Sequence, residues 1–262
     1  MKKITKLHNK HKGQEIWVVG SDPTLEDYPD NFLDGKLSIT VHLAHMKFPN
    51  ATYRYFNEKD RFLFLKDKYP DFLDKISIFG FPFYNRTPQE SEEEIKKVKE
   101  SYFLNSRPYP PKGNFNDIFS DVGTNAMEKM VTEAIEATSN IFGGHGTCIH
   151  NAMYVAIMMG GNPINVIGAN FRAAKGKEHF GEAQNIDHKM RPTTASFTGY
   201  RGTRMTRGLN AIIAGCKAHN IKVNWIEKYD TKTKQLVYKH TELQTEKVSK
   251  TVSKTVSEFT PL

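Results

Sequence analysis

Apolar residues come along this chain in short bursts, each closed by a glycine, a proline or a polar turn. "IWVV" at 16–19 stops at Gly20-Ser21-Asp22-Pro23, and "LSITV" at 37–41 stops at His42. "YRYF" at 53–56 stops at Asn57, "ISIF" at 76–79 at Gly80, and "INVI" at 164–167 at Gly168. Runs of four or five β-branched and aromatic residues bounded by turn residues predict strands buried on both faces, as in parallel sheets. A last strand is predicted over 222–226.

Helical patterning is clearest in the second half, over 126–137, over 147–159 after "GGHG", and over 206–219. Asp22 or Thr24 is placed to cap a short helix through Leu33. "SEEEIKKVKESY" at 91–102 fits a polar helix or a solvated arm. "RPYPPKGNFN" at 107–116 predicts a loop, because its prolines cannot sustain regular structure. The second half thus alternates strand, loop and helix. That order implies an α/β fold: a Rossmann-like, doubly wound, mostly parallel sheet. Residues 1–13 are expected as a loosely docked basic arm and 14–228 as a nucleotide-binding domain. A C-terminal extension, 229–262, follows; in it Val248, Val252 and Val256 recur every four residues. This stripe fits either a docking or homo-oligomerisation helix or a frayed tail.

A length of 262 residues suits one large domain with small appendages. The net charge of +8 favours anionic partners, although a surface of solvated lysines accounts for it as well. The excess gathers in the first twelve residues and between Arg172 and Arg207. No apolar run is long enough to cross a bilayer, and no apolar leader core follows Met1. The expected location is cytoplasmic, with a peripheral position at a membrane surface left open. Cys148 and Cys216 form no metal-type spacing, which fits a reduced compartment.

The turns carry the candidate chemistry. Gly20, Ser21, Asp22 and Thr24 follow the first predicted strand, His42 the second and Asn57 the third. In a parallel sheet these positions share the carboxyl edge, where open α/β sheets bind ligands. Hydroxyls and amides there suit a nucleobase and ribose. Thr147 and Cys148 open a helix after a glycine-rich turn, an arrangement that favours an anion. Each residue alone has a plainer role as a loop residue or helix cap. His145 and His150 fit packing or surface roles. Between 171 and 204 the chain holds Arg172, Lys175, Lys177, Arg191, Arg201 and Arg204 without apolar periodicity, the composition of a flexible basic surface.

"VVGSDPTL" resembles the "GNGPSL" turn of the bacterial sialyltransferases of glycosyltransferase family 42. That turn is shared with a broader group of motility-associated flagellin glycosyltransferases and archaeal 6-hydroxymethylpterin diphosphokinases. "GTCIHNAMYVAIMMGGNPINVIGANF" is similar to the group's second signature, which ends in Gly-x-Asp-Phe, and "AHNIKVNWI" resembles its last strand. The resemblance spans roughly 14–228, with its strong stretches at 16–25 and 146–171. It implies nucleotide contacts at Ser21, His42, Asn57 and Cys148, beside Thr147, and at Asn170. In the family Ser21, His42, Asn57, Cys148 and Asn170 are Asn, Asn, Asn, Ser and the Asp of Gly-x-Asp-Phe; Asn57 and the neighbouring Thr147 match, and the family's lid over the donor falls on 171–204. The family's phosphate-binding tyrosines imply Tyr200 and Arg172 in that role here. Its general-base histidine has no direct counterpart, since the aligned segment near 200–203 offers Thr or Tyr. His188, beside Asp187, and His179 are the available imidazoles.

The resemblance implies a metal-independent glycosyltransferase without cofactor, moving a sugar such as a nonulosonate from a nucleotide-activated donor to a glycan or protein acceptor. Two alternatives stand beside it. One is a diphosphokinase using ATP and Mg²⁺, with Asp22 as an available carboxylate. The other is a non-catalytic nucleotide- or nucleic-acid-binding protein, supported by charge but by no RRM, OB or helix-turn-helix signature.

Overall fold

The computed structural model describes residues 2–84, 93–108, 121–138, 141–144, 147–171 and 200–239. Among them ten strands form one sheet: β1 (Lys2–Lys3), β2 (Ile16–Val19), β3 (Ser38–Val41), β4 (Tyr53–Glu58), β5 (Ile76–Tyr84), β6 (Ser101–Pro108), β7 (Ile141–Gly144), β8 (Ile164–Ile167), β9 (Val223–Asp230) and β10 (Gln235–Tyr238). The spatial order is β1-β6-β5-β4-β3-β2-β8-β9-β10, with β7 also beside β6. Every pairing is parallel except the β9–β10 hairpin. The chain therefore winds outward from β2 through β3, β4, β5 and β6, then returns to the other side of β2 with β8. This is the Rossmann-like doubly wound sheet, and its switch point lies between β2 and β8.

Helices cover both faces. The longer ones are α2 (Lys59–Lys68), α3 (Asp121–Glu136), α4 (Cys148–Met158) and α5 (Tyr200–Ala218), and α1 (Ala44–Lys47) is a single turn. Strand alternation sends Ile16, Val18, Ile39, Val41, Tyr53, Tyr55 and Ile78 to one face, where they join α4 and the inner sides of α3 and α5 in one apolar cluster. The helix α4 is apolar all round and buried over almost its whole length, as a central helix must be. The opposite face holds two apolar clusters. Trp17, Val19, Leu25, Tyr28 and Ile167 form one; Phe56, Phe62, Leu65, Phe72 and Phe79 form the other.

The N-terminal segment differs from the loosely docked arm expected from its charge. Ile4 and Leu7 are fully buried. The backbone N–H groups of Asn9, His11 and Gly13 donate to the carbonyls of Met158, Met159 and Gly160 at 2.8–2.9 Å. The segment thus satisfies the carbonyls that the end of α4 leaves without helical partners. At the other end, β9 runs past residue 228 and returns as β10, so 229–238 extend the sheet; residues 240–262 lie outside the described residues. The segment 101–108, its first two residues expected as helix or arm and its last two as loop, is a strand set between β5 and β1. Sheet pairing on both edges outweighs its weak local pattern.

Candidate functional site at the switch point

The turns after β2 and β8 touch each other through glycines. A Cβ on Gly20 would lie 2.2 Å from the Gly168 carbonyl oxygen, and one on Gly168 would lie 2.5 Å from the Gly20 carbonyl oxygen. Gly168 also has φ +62°, a region costly for L-residues with a side chain. Gly20 N–H donates to Ile167 and Asp22 N–H to Gly168, at 2.9 and 3.0 Å. Asp22 is buried, and its carboxylate accepts from the Thr24 backbone N–H at 2.9 Å, capping a 3-10 turn over Pro23–Asp27. That single turn replaces the helix expected through Leu33. Ser21 is half-buried on the same turn.

Asn170 closes the site on the β9 side. Its amide donates to the Glu227 carbonyl at 2.7 Å and reaches the Thr24 hydroxyl at 3.5 Å. Its Oδ1 is buried without a hydrogen-bond partner among the described residues.

On the other side of Gly20 stands the start of α4. Ile149 packs 3.3 Å from the place a Gly20 Cβ would take, and Thr147 caps the helix by accepting from Ile149 N–H. Two bonds fix α4 against β4. The Cys148 thiol donates to Asn57 Oδ1 at 2.7 Å, and Asn151 Nδ2 donates to the Tyr55 hydroxyl at 3.0 Å. Residues three apart share a helix face and residues two apart share a strand face, so the two pairs meet in register. Burial, with the nearby Glu58 carboxylate, raises the Cys148 thiol well above its ordinary range, so it is a protonated donor at neutral pH.

His42 sits in the turn after β3 with φ +48°. Its Nε2 accepts from the Asn57 backbone N–H at 3.4 Å, its Nδ1 faces Glu58 at 4.0 Å, and its ring stacks on Phe56. Burial lowers its pKa to about 4 against the opposing pull of Glu58, so the ring is neutral. Glu58 in turn accepts from Arg61, three residues on. His42 and Cys148 therefore hold Asn57 from two sides.

The nine nominated residues thus sit in the turns that follow β2, β3 and β8, at the end of β4 and at the start of α4; short contacts join Asp22, Thr24 and Asn170 in one group and His42, Asn57 and Cys148 in another. Tyr200 is the first residue of α5, and its side chain is outside the described residues, as are His145, Arg172, His179 and His188. His150 is a core residue whose ring meets the Met205 carbonyl at 3.0 Å. Sequence reading missed Tyr55, Glu58, Arg61 and Asn151. Only the i,i+3 spacing of Glu58 and Arg61 was visible beforehand. Among the described residues no group of three or more His, Cys, Asp or Glu side chains is placed to hold a metal ion. No helix among them is long and apolar enough to cross a membrane.

No known family and no curated protein matches this sequence. Among solved structures, the chain is similar to the sialyltransferase CstII from Campylobacter jejuni in complex with a substrate analogue, CMP-3FNeuAc. The TM-score is 0.45 and the identity 11%, over 87% of this chain and 92% of that chain.

Proposed function

We propose that the protein is a glycosyltransferase that binds a nucleotide-activated sugar at the carboxyl edge of the sheet. The observation that carries this is the joining of four strand ends and one helix start around the Gly20–Gly168 contact. The donor phosphate belongs at the start of α4, where backbone N–H groups and the positive helix end favour an anion. The nucleoside belongs over Asn57, whose Nδ2 donates to a base or ribose oxygen. Neutral His42 and protonated Cys148 keep that amide oriented without adding charge.

The amide of Asn170, where the Gly-x-Asp-Phe signature has a carboxylate, favours metal-independent sugar transfer over Mg²⁺-dependent diphosphate transfer. In that reaction the acceptor oxygen forms a bond to the anomeric carbon, and the bond from that carbon to the donor phosphate breaks. The nucleotide leaves with the electron pair, and the acceptor proton passes to a base. We assign the base to His188 or His179, and charge neutralisation on the phosphate to Arg172 and Tyr200, with the sugar, such as a nonulosonate, and a glycan or protein acceptor as substrates. No cofactor enters this scheme.

Thermal melts with CMP, CDP, UDP, GDP and ATP, each with and without Mg²⁺, test it. A ligand that binds only the folded chain raises Tm by mass action. A rise with CMP in the absence of metal is expected. A rise confined to ATP with Mg²⁺ replaces sugar transfer by diphosphate transfer, and no rise with any nucleotide overturns the site. Asn57→Ala should weaken the nucleotide by about 1–3 kcal/mol in calorimetry, while the free protein loses only the Cys148 bond, about 1 kcal/mol in urea unfolding.

A further inference from the structure

The face of the sheet away from α4 carries a row of polar side chains where a core is expected. Thr40, Arg54, Ser77 and Ser101 stand side by side in register across β3, β4, β5 and β6. The first three are fully buried and Ser101 nearly so. The row lies between the two apolar clusters of that face. Arg54 is the unusual member. Its Nε and both Nη atoms are buried, and none has a hydrogen-bond partner among the described residues. The same holds for Ser77 Oγ in the neighbouring strand and for Nδ1 of the buried His45 on α1. Thr40 is already committed to the Tyr53 carbonyl.

Phe72 brings two of these groups together, and Ser77 stands beside Arg54 in the strand register. The Phe72 ring stacks on the Arg54 guanidinium, 4.2 Å from Cζ to the ring centroid. His45 meets the same ring edge-on at 5.3 Å, and Tyr69 likewise at 5.3 Å. Asp71 and Lys75 are the charged side chains facing this cluster from the adjoining turn. Asp71 is directed outward, ion-paired to Lys75 at 3.3 Å and largely exposed. Buried donors almost always find an acceptor, and a buried charge almost always finds a counter-charge. A guanidinium offers a planar fork of N–H donors, which two oxygens of one anion fill at once.

We propose that Arg54, Ser77 and His45 form a buried binding site for one small inorganic anion, held as a part of the folded protein. The guanidinium supplies the fork, the Ser77 hydroxyl a donor from the next strand, and His45 Nδ1–H a third from α1. The anion neutralises Arg54 and joins the two apolar clusters through the polar row. Burial outweighs the attraction of Asp71 and lowers the Arg54 pKa to about 9, a penalty that a bound anion relieves. This site lies on the opposite face from the nucleotide edge and does not depend on the function proposed there.

The test uses the intact chain. Protein desalted into a buffer whose only anion is gluconate is denatured, and released chloride, nitrate, sulfate and phosphate are counted by ion chromatography. In parallel, its Tm is followed as chloride, nitrate or phosphate replaces gluconate at constant ionic strength. About one anion released per chain, or a saturable Tm rise of roughly 5 °C, is expected. Arg54→Met, which keeps the stem without the fork, should lose both. The absence of both retention and a saturable rise in the wild type overturns the proposal, whether or not Arg54→Met folds. So does an equal response in a folded Arg54→Met protein. Asp71→Asn separates the remaining case: if Asp71 itself serves Arg54, this change lowers Tm sharply and the wild type shows no anion dependence, which also rules the anion out.

Discussion

The two faces of this sheet are buried to the same depth and built on different principles. Under α4 the strands contribute Ile16, Val18, Ile39, Val41 and Ile78, and the core is one uninterrupted apolar body. On the other face the same strands contribute Ser38, Thr40, Arg54 and Ser77, and the apolar residues divide into two bodies. The first face positions: its packing sets α4 against β4 closely enough for Cys148 and Asn151 to find Asn57 and Tyr55. The second face stores charge. An apolar body tolerates changes of pH and salt but little change of shape, whereas a buried polar row responds to both.

The largest expected effect comes from shape. Gly20→Val puts branched carbon where the Gly168 carbonyl oxygen and Ile149 already are. Backbone cannot move away as a flexible side chain can, so a loss of more than about 4 kcal/mol is expected. Urea unfolding should show little folded protein. A stable Gly20→Val protein would mean that the two turns are not in contact, and the α4 face would lose its claim to be the rigid one.

Acid comes next. Burial holds His45 at a pKa of about 3, lowered further by Arg54 and Lys75 and raised only by Asp71. His42, at the rim of the same face, is held at about 4. Both have folded pKa values below the unfolded value near 6.5. Their stabilising effect is therefore complete above pH 6.5 and is lost as pH falls toward 4 and 3. By pH 4.5 each should cost roughly 2–3 kcal/mol relative to pH 7. Urea midpoints at both pH values measure the sum, and His45→Phe should remove about half of it. An unchanged pH dependence in His45→Phe would show that His45 is not buried as a neutral ring.

The strands that were legible in the sequence are those of the apolar face's centre. Residues 16–19, 38–41, 53–56 and 164–167 are compact apolar runs, and a run of this kind between Gly or polar turns has few other uses. Their turns were legible for the same reason, and hence so were Gly20, His42, Asn57 and Gly168. Four strands were not, among them β1 in the segment expected as an arm. "SYFLNSRP" in β6 alternates poorly and ends in proline, "IFGG" in β7 looks like part of a glycine turn, and β10 is four residues long. Each is defined by its neighbours across the sheet rather than by its own residues. The Cys148–Asn57 bond joins residues 91 positions apart, and no local pattern announces it. Arg54 inside "YRYF" carries no local mark that it is anything but one residue of a short strand. The structure buries it because α1 and the turn at Phe72 cover that face as well.

The smallest effect is the most discriminating between the faces. Ser77→Ala deletes a buried hydroxyl that has no protein partner. In gluconate buffer its Tm should be unchanged or slightly raised, because an unpaired polar group leaves the core. In chloride, nitrate or phosphate it should fall below the wild type by an amount corresponding to about 1 kcal/mol or less. The crossing of the two curves is the signature. Parallel curves would make the row an ordinary, solvent-indifferent part of the core.

The docking of residues 9–13 on the carbonyls of Met158, Met159 and Gly160 has a consequence in time. A ribosome adds roughly 5–20 residues each second, so the first segment exists for on the order of 10–30 s before its partners are made. β2 waits as long for β8, the neighbour on its other side. Until then the N–H groups of residues 9–13 and one edge of the central strand have nothing native to meet. Folding of this chain must therefore follow synthesis of its second half instead of accompanying the first, and helpers that shield nascent apolar chain should raise its yield more than helpers that act after release.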